Sequence, residues 1–391
     1  MKRRNFLNAT TAGVTASVLA ACGGGDESVD MQQAQAFEQA NDAKRTPVTV
    51  PAGPVKSRVI VVGGGIGGAT VAKYLRLWGD GIEVTLVERA SSYTSDIMSS
   101  LVLTGQRTMA SLDFKYTNLI SKYGVKVMLG DVVGIDPVGV KVTLSTGTVL
   151  TADRIVLAPG IDFDDVPGMG TSNKKPHAWK AGPQTALLAS QLVAMPSNFS
   201  NAFYGLHGGV IEYVTNATVS QVDPANKQVY TNQGVFKGDV VNLIPRQKGG
   251  KLIVASGLAN ATEGRFAGVN VLSYASTVAG ADKVHIIGDS SATTQPKAGH
   301  IANQEAKVCA DAISRLLTGL TPDPAPVTNS ACYSTITMTQ ASWLTAAFQY
   351  DTATQAMKVV PPSSAASVGW DKDNFEDMST WFKALMADSF A

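Results

Sequence analysis

The hydrophobic pattern along the chain becomes regular at residue 58. Arg58 to Val62 is a short apolar run of the kind a buried strand requires. Ala69 to Leu77 repeats its apolar positions at helical spacing, and Val84 to Val87 is a second apolar run that stops at Glu88. Gly63, Gly65 and Gly68 stand between the first strand and the helix as G-x-G-x-x-G. Glycine there permits a tight turn, close approach of the backbone to a pyrophosphate, and tight helix–strand packing. The free N–H groups and positive dipole end of the helix favour the phosphates. Glu88, 20 residues after Gly68, stands where an acid accepts hydrogen bonds from an adenosine ribose. Strand, turn, helix, second strand and terminal acid in this order predict a bound dinucleotide. The alternative is a glycine turn kept without its ligand.

The pattern beyond Glu88 decides which dinucleotide. Residues 93–104 read as a loop and short helix, and Leu112 to Tyr123 as an amphipathic helix. Val125 to Met128 and Gly130 to Asp136 read as strands, and Val140 to Leu144 with Thr148 to Leu150 as a hairpin. Asp153 to Leu157 is a fully apolar run ending in Ala158-Pro159-Gly160, which lets backbone pass close to a ligand. Gly182 to Met195 is helical in pattern. Val210 to Val214, Thr218 to Val222, Gln228 to Thr231 and Val240 to Ile244 alternate weakly as strands. Val284 to Ile287 is a last buried strand, closing on Gly288-Asp289 before a helix from Ala298 to Leu317. A nicotinamide dehydrogenase has no need of that distant Gly-Asp strand. An FAD protein does: the aspartate accepts from the ribityl chain, and the following helix start faces the flavin. A simple strand-ending turn is the alternative for Gly288-Asp289 taken alone.

Composition narrows the partners. The 391 residues leave room for two or three domains, and a net charge of +1 gives no electrostatic footprint for nucleic acid or an acidic membrane. Residues 1–22 read as targeting rather than fold. Arg3-Arg4-Asn5-Phe6-Leu7 looks like a twin-arginine signal, and the apolar stretch Ala12 to Ala21 is too short to span a bilayer. Leu19-Ala20-Ala21-Cys22 resembles a lipoprotein processing box with Cys22 as the lipidated residue, the alternative being an ordinary cleaved signal. Residues 23–56 then form a flexible tether. The expected location is periplasmic, with membrane contact only through a lipid on Cys22. Of the other two cysteines, Cys309 falls in the last helix as a small core residue. Cys332 is either a reactive thiol or a buried inert one. The four histidines and the cysteines show no metal-ligand spacing.

GGGIGGATVAKYL, GDVVGIDP, DRIVLAPGI, PHAWKAGPQT, GDVVNLIP, HIIGD with PKAGHIANQEAK, and the CYS that opens the last segment together carry a family resemblance. The chain resembles the flavoprotein subunit of flavocytochrome c sulfide dehydrogenase, a relative of sulfide:quinone reductases, over most of residues 57–391. The resemblance implies an α/β, FAD-binding Rossmann-like domain of the two-dinucleotide-fold family, formed by residues 57–182 and 276–328. It implies a reduced central domain at 183–275 and a C-terminal α+β flavin cap at 329–391. FAD would be held by Gly63, Gly65, Gly68, Glu88, Val133, Ala158, Gly160, Gly288 and Asp289, with Trp381 of the cap near the flavin. The implied electron donor is a small sulfur compound and the implied acceptor a c-type cytochrome.

Two departures from the family pattern matter. Asp96 occupies the position of the cysteine that attaches the flavin covalently, so FAD is expected to be held non-covalently. The second βαβ unit of the family, which holds one of two redox cysteines, is missing. Cys332 matches the surviving cysteine, and a dithiol relay needs two. Cys332 is the candidate sulfur-handling residue, and Lys297 the candidate for stabilising negative charge on the reduced flavin, or else a solvated lysine. Three functions stay open: sulfide oxidation, oxidation of another small reductant, or a non-catalytic flavin-binding partner subunit. The central remnant, lacking a covering helix, is expected to lie against the FAD domain or a partner.

Overall fold

The computed structural model describes residues 50, 51, 53–169, 198, 200–212, 214, 216–241, 243–361 and 363–391. The signal and Cys22, most of the tether, the helix expected at 182–195, and His177 and Trp179 lie outside the described residues. No helix among the described residues is long and apolar enough to cross a membrane.

An eight-stranded sheet forms the centre. In chain order its strands are β1 (Ser57–Val62), β2 (Ile82–Glu88), β3 (Lys126–Leu129), β4 (Arg154–Leu157), β5 (Ala267–Asn270), β6 (Ala275–Ser276), β7 (Val284–Ile286) and β8 (Ser291–Ala292). Their spatial order is β8-β5-β6-β7-β4-β1-β2-β3. β1 lies between β2 and β4, all parallel, with Ile60 opposite both Thr85 and Ile155. Strands buried on both faces read as continuous apolar runs, which is why these were legible. Side-chain alternation sends successive residues to opposite cores. Val59 and Val61 pack on one face with Val84, Leu86 and Val156. Ile60 and Val62 pack on the other with Val87, Ile155 and Leu157.

The first face is covered by three helices: α1 (Ile66–Trp78), α2 (Gly299–Leu316) and α3 (Lys372–Phe390). α3 starts at Asp371, whose carboxylate accepts from the Asn374 N–H at 2.7 Å. The second face is covered by a meander of Val132–Asp136, Lys141–Leu144 and Val149–Thr151 and by the short helix Lys251–Ala255. The cap is a long antiparallel hairpin, β9 (Val327–Thr335) and β10 (Ala341–Asp351), with β11 (Ala356–Val359) beside β10 and α3 closing the chain.

Three expectations needed correction. Leu112 to Tyr123 is not one helix: a 3₁₀ turn Met109–Leu112, a strand Asp113–Lys115 and a five-residue helix Thr117–Ser121 replace it. Pairing of Tyr93 with Phe114 in a two-stranded ribbon wins, because it puts Phe114 against Phe382 and Phe390 of α3. Tertiary aromatic packing overrides the local period. Val210 to Val214 and Val240 to Ile244 form no strand among their described residues, and Val240 is 88% exposed. Strands β5 and β6 belong to the central sheet, so that sheet begins upstream of the boundary expected at residue 276.

Candidate functional site

The glycine turn at the end of β1 is shaped by contacts no side chain would tolerate. Gly63 has φ +99°, and a Cβ there would stand under 3.0 Å from the Ala158 carbonyl. A Cβ on Gly68 would collide with the carbonyl of Gly63. Gly65 is the extended residue before α1 and has only the Tyr93 ring near it, so the N-terminus of α1 is clear of side-chain caps. Glu88 closes the turn from β2. One carboxylate oxygen accepts from the Gly64 N–H at 2.6 Å, the other from Arg89 at 2.9 Å and Ala90 at 3.1 Å. The Glu88 carbonyl accepts from the Gly130 N–H at 2.9 Å, which seats the start of the 132–136 strand beside it. Val133 on that strand is 54% exposed and contributes backbone.

The second half of the cradle comes from the ends of β4 and β7. Ala158 donates its N–H to the Val62 carbonyl, and Gly160 (φ +70°) has nothing within 4 Å of where a Cβ would stand. Gly288 (φ +70°) and Asp289 follow β7 in a single 3₁₀ turn. Behind them lies a residue the motif search missed. Glu305 of α2, 1% exposed, accepts from the Gly288 N–H at 2.6 Å and from the Ser291 and Thr293 hydroxyls at 3.4 Å. Burial, with Asp289 adding to it, pushes its carboxyl up to about 8. A signal was present: Glu305 falls four residues after Ile301 and four before Cys309, an acid on an apolar stripe.

Around the start of α2 the cap meets the cradle. His300 Nδ1 accepts from the Ala331 N–H of β9 at 3.0 Å, and the Trp381 Nε1 donates to the same nitrogen at 3.5 Å. Tyr333 packs on Trp381 with ring centroids 5.4 Å apart. Burial lowers His300 to about 4, so it is neutral at pH 7 with its proton on Nε2. Lys297 donates to the Ser291 carbonyl at 2.5 Å and lies 4.3 Å over the Phe266 ring, in cation–π range. It lines a small cavity with Gly288, Asp289 and Glu305.

Cys332 is placed differently from these residues. It sits on β9 opposite Leu344, on the face of Ser330, while Tyr333 beside it turns the other way into the Trp381 cluster. Burial raises its thiol above the ordinary value. It lines neither of the two described cavities, and Cys309 is buried with its thiol raised as well. Both are free. Asp96 is exposed at the head of a turn, its carbonyl accepting from the Ser99 N–H and hydroxyl. Met98 in that turn is buried at φ +69°.

The residues fit an FAD: a side-chain-free phosphate turn, an anchored acid at the second strand, and a Gly-Asp turn at the last strand. Comparison with known proteins agrees. Residues 57–185 match the pyridine nucleotide-disulphide oxidoreductase family, and residues 324–390 match the flavin-binding domain of flavocytochrome c sulphide dehydrogenase. Among solved structures, the sulfide:quinone oxidoreductase of Aquifex aeolicus superposes with a TM-score of 0.63 at 16% identity. That alignment covers 85% of this chain and 91% of that one. An NAD-dependent persulfide reductase from A. fulgidus gives 0.54 at 14% identity, covering 84% and 77%. Fold and site thus define a flavin-binding α/β protein of the disulphide-oxidoreductase type. The sulfide dehydrogenase (flavocytochrome c) flavoprotein chain of Chlorobaculum thiosulfatiphilum is 51% identical over 45 residues, which is 94% of that sequence and 12% of this one. The chain belongs to the flavocytochrome c sulfide dehydrogenase flavoprotein family. It is also 36% identical over 105 residues to apoptosis-inducing factor homolog A of Dictyostelium discoideum, spanning 24% of that protein's length and 27% of this chain.

Proposed function

We propose that the chain is an exported FAD-dependent oxidoreductase that takes electrons from a small sulfur reductant and passes them to a c-type cytochrome. The observation that carries this reading is the continuity of the cradle, from the Gly63 turn through Gly288 and Asp289 to the His300–Trp381 contact with the cap. The named relative supplies the reductant and the acceptor class. Export rests on the Arg3-Arg4 pattern, and the lipid anchor on Cys22.

FAD, when bound, supplies the capacity to accept an electron pair and release it singly. The protein's part is binding, orientation and electrostatics. The N–H groups opening α1 would hold the pyrophosphate, and Glu88 the ribose hydroxyls. Asp289 would hold the ribityl chain, and Lys297 would provide a cation just before α2. Neutral His300, fixed by Ala331 and Trp381, locks the cap onto that helix start. Asp96 cannot form a thioether, so the flavin is held non-covalently.

A dithiol relay is not built among the described residues. Cys309 and Cys332 both have raised thiols, and the thiolate is the reactive form. This weighs against Cys332 as the sulfur nucleophile. It leaves direct reduction of FAD by the sulfur donor, and a second reading in which another small reductant takes that part. Anaerobic titration of protein lacking residues 1–22 separates the readings. Stoichiometric bleaching of the flavin band by sulfide supports sulfide oxidation. A bound flavin untouched by sulfide supports another reductant. Folded protein that takes up no flavin overturns both and leaves a non-catalytic partner subunit.

A further inference from the structure

We propose that the cavity adjoining the Gly288–Asp289 end of the cradle is a binding site for a small organic carboxylate with an apolar body. The cavity measures about 420 Å³ and shares Thr293 and Lys297 with the groove at Gly288 and Asp289. Its lining contains three basic side chains, Arg246, Arg265 and Lys297, and no acidic one. The rest is apolar, hydroxylated or, at Gln247 and Gln355, amide-bearing, with Phe266, Val269 and Val271 as the large apolar members. Convergent charge on an apolar wall is the make-up of a ligand site, and this volume falls in the range of small-molecule pockets. A hydrosulfide ion would leave most of it empty.

Arg265 is the anchor. Its side chain is 14% exposed, and Nη2 engages Asp164 at 2.8 Å and the Gln247 carbonyl at 2.6 Å. Those contacts fix the guanidinium plane through Nη2 and leave Nε and Nη1 to donate singly to an anion. Asp164 is shared with Lys248 at 3.8 Å, and the exposed Arg246–Glu263 pair at 3.8 Å is loose. Arg246, Lys248 and Arg265 thus meet Asp164 and Glu263 at one end of the cavity, and Lys297 meets Asp289 and Glu305 at the other, while the cavity wall itself carries only the cations. The loop that delivers Arg265 is strained: Thr262, Glu263 and Gly264 in succession have φ of 52°, 59° and 74°. Strain of that kind persists where the surroundings over-determine it, as binding sites do.

The inference rests on the proposed function only in setting a flavin beside the cavity; the binding itself requires no redox step. Calorimetric titration of the full chain with benzoate, at fixed ionic strength and with acetate as the size control, tests it. Expected is saturable binding of one benzoate per chain, at least tenfold tighter than acetate. Arg265→Gln weakens benzoate at least tenfold, and Arg265→Lys less. Ala356→Phe fills the cavity without changing charge and abolishes binding, which keeps the test decisive if Arg265→Gln fails to fold. No benzoate binding to folded protein, or binding that survives both Arg265→Gln and Ala356→Phe, overturns the proposal. Folded protein that takes up no added FAD yet binds benzoate sinks the flavin reading alone; flavin-loaded protein that ignores benzoate sinks this one alone.

Discussion

The cradle and the central remnant are two sheets of the same chain under very different constraint. In the cradle, β1 is paired on both edges and buried on both faces, so its turn can be neither shifted nor decorated. In the remnant, Val219–Asp223, Gln228–Thr231 and Gly234–Lys237 form a meander whose last strand is exposed at all four residues. That meander is held to the rest of the described structure through the Val222 N–H to Pro167 carbonyl bond and the burial of Val222. Change in the second region is therefore expected to cost the first little.

The largest expected effect is therefore in the turn. Gly68→Ala puts a methyl into the Gly63 carbonyl, between two elements that are each locked by a core. We expect loss of bound flavin and a destabilisation of about 1–3 kcal/mol, read by flavin absorbance and denaturant melts. Val235→Thr in the exposed strand should leave both unchanged within about 0.5 kcal/mol. Equal effects at the two sites would erase the distinction.

Next is the clamp that ties the cap to the cradle. Lys73 of α1, 7% exposed, donates to the carbonyls of Ala387, Asp388 and Ala391 at 3.3, 3.0 and 2.7 Å, placing a cation at the C-terminal end of α3. Desolvation lowers Lys73 to about 8 despite Asp388 nearby. Lys73→Met leaves those carbonyls without their donor, and should cost about 2 kcal/mol while increasing proteolysis of residues 372–391.

What the sequence showed depended on how local the cause was. The turn, the strands β1 to β4 and β7, and the Gly-Asp signature are set by periods of a few residues, and they are where expected. The 112–123 segment failed because a cross-strand partner twenty residues upstream decides it. Cys332 was legible as a cysteine but not as a face: register with Leu344 turns it away from Tyr333 and Trp381. Arg265 belongs to no motif, and only the fold brings it beside Lys297.

A pH experiment sharpens the comparison from within the cradle. Glu305, raised to about 8 from an ordinary 4.5, binds its proton more tightly folded than unfolded. Its contribution is fully present below pH 4.5 and is lost as pH rises through 8. His285 and His300, lowered to about 4 from 6.5, act oppositely: their contribution is present above pH 6.5 and lost as pH falls through 4. Between pH 6.5 and 8 Glu305 gives the main downward slope: the histidines are largely neutral in both states above pH 7, and Lys73, lowered to about 8, opposes it only toward the upper end. Flavin-free protein should lose up to about 2 kcal/mol across that window, and Glu305→Gln should remove the slope. A slope unchanged in the variant would place the titrating group elsewhere.

The smallest expected effect is at Cys332. Its thiol is half-buried on β9 with the Ser330 hydroxyl at 3.9 Å, and burial disfavours the thiolate. Serine there keeps a short side chain that can bond with Ser330, so Cys332→Ser should change stability by less than about 1 kcal/mol and leave flavin content intact. Thiol-reactive dye should label the wild type more slowly at pH 7.5 than it labels an exposed cysteine, because only the thiolate attacks. The rate of flavin reduction by whatever donor the protein accepts should be unaltered. A large drop in that rate in the serine variant, with flavin retained, would mean that the strand turns over its thiol in a state these contacts do not show.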